Sequence, residues 1–223
     1  MTATPSPPSA DRFRAVVFDL DGTLVDSEAR SHASWRHVFE TLGIPPDDAL
    51  IRSFVGRRGI DVHGLLKDRL PEHDPGQLMA ASSAHFHAPH HPPLGPLRGA
   101  VELVRLIGGT GIPLGLVTSA GRRYAERTLT QLGVHSLFSV VVTAEDVTVG
   151  KPDPEGYRAA CRALDVAPAC CVVFEDAPAG VAAAKAAGTY CVAVATTHAA
   201  GDLAAADVVV PDLTAVSWPL PSN

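Results

Sequence analysis

Several features that would place a chain in a class at once are missing from this sequence. No basic run occurs among its 223 residues and the formal net charge is −6, so nothing recommends a nucleic-acid surface. No apolar stretch reaches the roughly 18 residues that a membrane span needs, which argues against a membrane partner. The four cysteines, Cys161, Cys170, Cys171 and Cys191, show no C-x-x-C spacing. Three of them adjoin apolar, strand-like runs, the pattern of small buried thiols in a reducing compartment. The opening MTATPSPPSAD has neither a basic start nor an apolar core. It reads as a floppy Pro/Ser tail over residues 1–12 and not as a signal peptide. A cytoplasmic location is the expectation, with a monomer or weak dimer as the assembly. There is no internal repeat, and no strand-like run between residues 27 and 87.

What is present begins with FDLDGT, residues 18–23. It closes an apolar run (Ala15, Val16, Val17, Phe18) that predicts a buried parallel strand. Asp19 and Asp21 then fall at the C-terminal edge of a sheet, where open α/β folds bind ligands. Two like charges so close need a cation or a shared proton. Taken alone, the tetrapeptide is equally compatible with a polar turn that ends a strand.

From Ser27 to His87 the period becomes helical. Trp35, Val38, Phe39 and Leu42 fall on one helix face, and Gly43, Pro45 and Pro46 stop it. Further helices are expected over residues 60–70 and 75–86. HAPHHPPLGP, residues 87–96, ends the stretch as a Pro-rich linker. The spacing thus predicts an inserted all-helical unit over residues 29–97. It divides a core made of residues 1–28 and 98–223.

After the insert, helices (99–107, 122–132, 154–164, 178–187) alternate with strands (113–117, 140–143, 171–174, 191–195, 207–210). Repeated β-α units with apolar strands predict a doubly wound parallel sheet covered by helices on both faces, an α/β fold. Successive strand tips carry Asp19 and Asp21, Thr118 and Ser119, Lys151 slightly later, then Glu175 and Asp176. Carboxylates for a hard cation, a hydroxyl and an ammonium form an inventory for holding Mg²⁺ and a phosphoryl group. Each also has a plainer reading: Lys151 as a solvated loop lysine, Thr118 as a helix cap, Glu175-Asp176 as an acidic helix start.

FDLDGTLVDSE (18–28), LVTSAG (116–121), VGKPDPEGY (149–157) and VVFEDAPAGVAAAKAAG (172–188) match, in order and separation, the four motifs of a family. Over residues 14–210 the chain resembles the haloacid dehalogenase superfamily of phosphohydrolases, whose Rossmann-like core carries a helical cap after the first motif. The resemblance implies Asp19 as nucleophile, forming an aspartyl-phosphate. It implies Asp21 as general acid, then general base. Thr118, the Ser119 backbone N–H and Lys151 would contact the phosphoryl group, and Gly22 would contribute to substrate binding. Asp19, Asp176 and the Asp21 main-chain carbonyl would hold Mg²⁺, with Glu175 binding directly or through a water.

Within the superfamily, Asp21 speaks against a dehalogenase, and a single cap lysine, Lys67, against a Schiff-base phosphonate hydrolase. The β-phosphoglucomutase relatives resemble the chain closely. They usually carry a His where this chain has Ser31, an Arg at Gly59 and a Lys at Gly121. The later motifs look most like the sugar-phosphate and glycerol-phosphate phosphatases. A small phosphorylated sugar or polyol is therefore the expected partner. A sugar phosphomutase, or an inactive phosphosugar-binding module, are the alternatives. Arg57 and Arg58 of the cap are candidates to reach over the substrate, or else part of a solvated surface. His85, His87, His90 and His91 cluster in the linker, where a surface loop is expected because a Pro-rich segment lacks the fixed geometry of a closed metal site.

Overall fold

The structure is a computed structural model that describes residues 13–54 and 56–221, so the tail expected at residues 1–12 lies outside the described residues. Its centre is a six-stranded sheet: β1 (Ala15–Phe18), β2 (Leu114–Val117), β3 (Phe138–Val142), β4 (Cys171–Glu175), β5 (Tyr190–Val194) and β6 (Val208–Val210). The strands lie in the order β3-β2-β1-β4-β5-β6, and every pairing is parallel. β1, β2 and β4 are buried along their whole length, which is why they read as unbroken apolar runs.

Side chains alternate across the sheet with a period of two. Val16 and Phe18 face one core together with Leu114, Leu116, Val172 and Phe174. Helices α5 (Ala100–Gly108) and α6 (Arg122–Gln131) close that side with Leu103, Val104, Ile107 and Leu129. Ala15 and Val17 face the other core, covered by α7 (Glu155–Ala163) and α8 (Pro178–Ala187) through Tyr157, Ala160, Val181 and Ala184. Cys161, Cys171 and Cys191 lie in this second core, and all four cysteines are free thiols. The fold is thus an α/β doubly wound parallel sheet. The chain runs outward from β1 in one direction, then returns to add β4 on the other side. That reversal opens a crevice at the strand tips between β1 and β4.

Between β1 and α5 the chain forms α1 (Glu28–Thr41), α2 (Asp48–Arg52), α3 (Gly59–Arg69) and α4 (Pro75–Phe86). Trp35, Val38, Phe39, Leu50, Phe54, Leu66 and Leu78 give these helices a core of their own. α2 has too few residues to show a period. It exists because the Asp47 side chain accepts from the N–H groups of Ala49 and Leu50 at 3.0 Å each. Leu42, expected on the buried face of α1, is 51% exposed. It is the C-cap residue, where the backbone has already left the helix. Among the described residues, no helix is long and apolar enough to cross a membrane.

Candidate active site

β1 delivers Asp19 to the crevice, where the Asp19 N–H bonds the Phe174 carbonyl of β4 at 3.0 Å. The loop after β3 brings Lys151 beneath it. The Lys151 ammonium donates to Asp19 Oδ1 at 2.5 Å, to Glu175 Oε1 at 2.5 Å and to the Val117 carbonyl at 3.3 Å. All three of its protons are therefore placed, and the residue is buried.

Glu175 ends β4. Its Oε1 accepts from Lys151 and from the Tyr157 hydroxyl at 2.6 Å. Its Oε2 accepts from the N–H groups of Asp176 (3.0 Å) and Ala177 (3.3 Å), just ahead of α8. Each of the roughly four acceptor positions of a carboxylate thus already holds a donor. The approach of α8 needs a glycine here: a Cβ on Gly180 would lie 1.9 Å from Glu175 Oε1.

Asp176 is held by Thr23, whose hydroxyl donates at 3.2 Å, and by the Thr197 hydroxyl. Gly22 turns the chain between the two motifs at φ +81°, and a Cβ there would meet Asp176 Oδ2 at 2.2 Å. Asp19, Glu175 and Asp176 bring one carboxylate oxygen each within 4.8 Å of one another.

The electrostatics follow from burial. Loss of solvation pushes the Asp19 carboxyl well above the usual range, against the pull of Lys151, and Glu175 and Asp176 push it further. Asp176 is raised to about 8, by burial first and then by Glu175. Lys151 is held above its ordinary value: burial opposes its charge, but Asp19 and Glu175 outweigh that cost. Ionised together, three buried carboxylates around one ammonium would carry two uncompensated negative charges, which is why Asp19 and Asp176 favour their protonated forms in the absence of a cation. That donor set fits a hard divalent cation with oxygen ligands.

Asp21 lies beside Asp19 in the wall of a cavity of about 360 Å³ between the strand tips and the helical unit. The Tyr124 hydroxyl donates to Asp21 Oδ1 at 2.7 Å. Burial raises the Asp21 carboxyl despite that bond. Thr118 and Ser119 line the same cavity; Thr118 Oγ1 accepts from the Ala120 N–H at 3.0 Å, and the Ser119 hydroxyl donates to the Gly56 carbonyl of the helical unit at 2.8 Å.

The two arginines of the helical unit part company. Arg57 lines the cavity, its Nε donating to the Ser53 carbonyl at 2.9 Å. Arg58 does not reach over the cavity. It is 8% exposed and turned toward the core, bonding Asp61 at 3.2 Å and the Val147 and Thr148 carbonyls at 3.3 and 2.9 Å. Two unpaired carbonyls in a protected spot attract a fork of donors more strongly than an open cavity does. His87 also lines the cavity, apart from His85, His90 and His91.

Sequence reasoning missed Tyr124, Thr197 and the partnership of Tyr157 with Glu175. Tyr157 lies within a quoted motif, at the buried face of α7, so a hydroxyl there needing a partner was a usable signal. Tyr124 and Thr197 lie outside the four motifs, which left no sign that either bonds an aspartate.

A family model described as haloacid dehalogenase-like hydrolase matches residues 16–194. The chain belongs to that family. Validoxylamine A 7'-phosphate phosphatase of Streptomyces hygroscopicus subsp. limoneus is 45% identical over 207 residues, which is 93% of this chain and 97% of that protein. Hexitol phosphatase A of Escherichia coli is 34% identical over 186 residues, 82% and 83% of the two chains. The solved β-phosphoglucomutase of Clostridium difficile shares the fold, with a TM-score of 0.79 at 23% identity, covering 92% of this chain and 94% of that one. Membership in a hydrolase family, with phosphatases at 45% and 34% identity, makes this chain an enzyme, a hydrolase of phosphoric monoesters.

Proposed function

We propose that the protein is a Mg²⁺-dependent cytoplasmic phosphatase that hydrolyses a small sugar or polyol phosphate monoester through an aspartyl-phosphate, with residues 29–97 acting as a cap. The observation that carries this reading is the Lys151 ammonium bonded at once to Asp19 and Glu175, beside Asp176 and Asp21. Asp19 and Asp176 would hold the cation, with Glu175 steadying Lys151 behind them. The bound cation would supply Lewis-acid stabilisation of phosphoryl charge.

Asp19 attacks phosphorus, forming the carboxylate O–P bond of an acyl phosphate as the bond to the leaving oxygen breaks. Asp21, protonated because burial disfavours its charge, gives its proton to that leaving oxygen. Tyr124 occupies Asp21 Oδ1, so the transferable proton sits on Oδ2. Asp21 then takes a proton from the water that attacks phosphorus and releases Asp19. Lys151, Thr118 and the Ser119 N–H offset charge on the phosphoryl oxygens. Arg57, the backbone at Gly22 and the Ser31 and Ser83 side chains of the cavity wall contact the hydroxyl-bearing part of the substrate. The similar relatives, named for validoxylamine A 7'-phosphate and for hexitols, support a polyhydroxylated leaving group.

A panel of phosphorylated sugars, polyols and validoxylamine A 7'-phosphate, assayed for inorganic phosphate with and without Mg²⁺, tests this. Metal-dependent release, highest for one polyhydroxylated ester, is expected. Background release in every tube, or conversion of β-glucose 1-phosphate to glucose 6-phosphate without free phosphate, would overturn it.

A further inference from the structure

Among the described residues, two groups bring three metal-ligating atoms within 4.8 Å of one another: the carboxylates already described, and His85, His90 and His91. The second group shares no residue with the first. It sits where α4 ends and the linker to α5 begins.

Three features fix its geometry. First, Pro89 presets the second position of a turn in which the His91 N–H bonds the Ala88 carbonyl at 3.1 Å. Pro92 and Pro93 follow at once, and the Pro92 carbonyl accepts from the Arg30 guanidinium on α1. The prolines therefore stiffen the linker instead of loosening it. Second, the tautomer of His85 is determined. The single proton of the Ser34 hydroxyl goes to the Arg30 carbonyl at 2.8 Å. The 3.1 Å contact between Ser34 Oγ and His85 Nδ1 therefore needs the proton on Nδ1, which leaves a bare lone pair on Nε2. A hydrogen bond that orients the far nitrogen of an imidazole is the usual support of a metal-binding histidine. Third, His91 Nε2 is shielded from water and has no hydrogen-bond partner. A buried polar atom without a partner is uncommon and costly.

We propose that His85, His90 and His91 form a second metal site, for a borderline transition ion of the Zn²⁺ class. Mg²⁺ is excluded there because it takes oxygen ligands. At about 2.1 Å per Zn–N bond, tetrahedral donors stand roughly 3.4 Å apart, so donors that lie within 4.8 Å of one another close by at most about 1.4 Å on binding. His90 is exposed and supplies that movement. The fourth position belongs to water, with the His37 ring stacked on His85 at 4.3 Å. Such an ion joins the start of the linker to α1 and α4.

The full-length protein, stripped of metal and dialysed against Zn²⁺ in excess Mg²⁺, tests the site. One equivalent of Zn²⁺ is expected to remain, with at least a ~10-fold weaker affinity in H90Q/H91Q. Phosphatase activity in Mg²⁺ alone should be unchanged in that variant. Co²⁺ in place of Zn²⁺ should give a visible spectrum that the same variant loses. The Asp176→Asn variant should keep both signals, which separates this site from the carboxylates. No bound Zn²⁺, equal affinity in H90Q/H91Q, or loss of the signals in Asp176→Asn would each overturn the proposal.

Discussion

Tyr124 donates its hydroxyl proton to Asp21 at 2.7 Å, across 103 positions of sequence. Tyr124 is itself bracketed by Phe86 and His87 of the helical unit, with ring centroids at 6.0 and 5.8 Å. The orientation of the proposed acid–base residue is thereby tied to the position of the cap. Tyr124→Phe keeps the ring packing and removes the hydroxyl that bonds Asp21, together with its contacts to Ser27 and Thr128. Its turnover should fall about 10-fold, the scale of one intramolecular hydrogen bond. The loss should be larger for alkyl phosphates than for p-nitrophenyl phosphate, whose leaving group needs no proton. An equal loss on both would contradict a positioning role.

Asp19→Asn should leave the fold intact and lower turnover below ~0.1% of the parent. Circular dichroism and steady-state kinetics on the same sample decide this. Appreciable residual activity would remove Asp19 as nucleophile.

The carboxylate cluster gives stability a defined pH dependence. Asp176 is raised to about 8 in the metal-free fold, against an ordinary value of 3.8. The folded state then holds a proton that the unfolded chain has released, so stability falls as pH rises from about 4 to about 8. Asp19 shifts in the same direction. On the proposed reading Mg²⁺ would take the place of that proton, and its benefit should grow over the same window. Melting curves between pH 5 and 9 should show a Tm increment from Mg²⁺ that increases with pH. A constant increment would mean that the ion binds elsewhere.

Arg57 and Arg58 should respond differently to alanine. Arg57→Ala is expected to raise KM with little change in Tm. Arg58→Ala strips donors from the Val147 and Thr148 carbonyls, ahead of Lys151. The cost should be about 1–3 kcal/mol, seen as a lower Tm together with a lower kcat. Matching profiles for the two variants would refute the division of labour.

Much of this was legible in the sequence because it is written locally. Fully buried parallel strands read as apolar runs, so Ala15–Phe18 and Leu114–Val117 could be found, and with them the residues at their tips. α4 begins at Pro75 as its Pro at the first turn requires. The edge strand β3 starts at Phe138, two residues ahead of expectation, because its half-exposed residues carry a weaker signal. Side-chain direction was beyond reach. Adjacent arginines look alike as letters, but one faces the cavity and the other turns to the loop before Lys151. The prolines beside the linker histidines read as looseness in the sequence, and in the structure Pro89 sits in the turn closed by the His91 N–H on the Ala88 carbonyl.

Residues 56–58 touch the core twice, through the Gly56 carbonyl on Ser119 and the Arg58 fork on Val147 and Thr148. Those contacts reach the two segments that also present Thr118 and Lys151. A guest too bulky to let this short stretch settle would leave both segments slack at once. Selection by size would then act through failed seating, far from any wall the guest itself presses on.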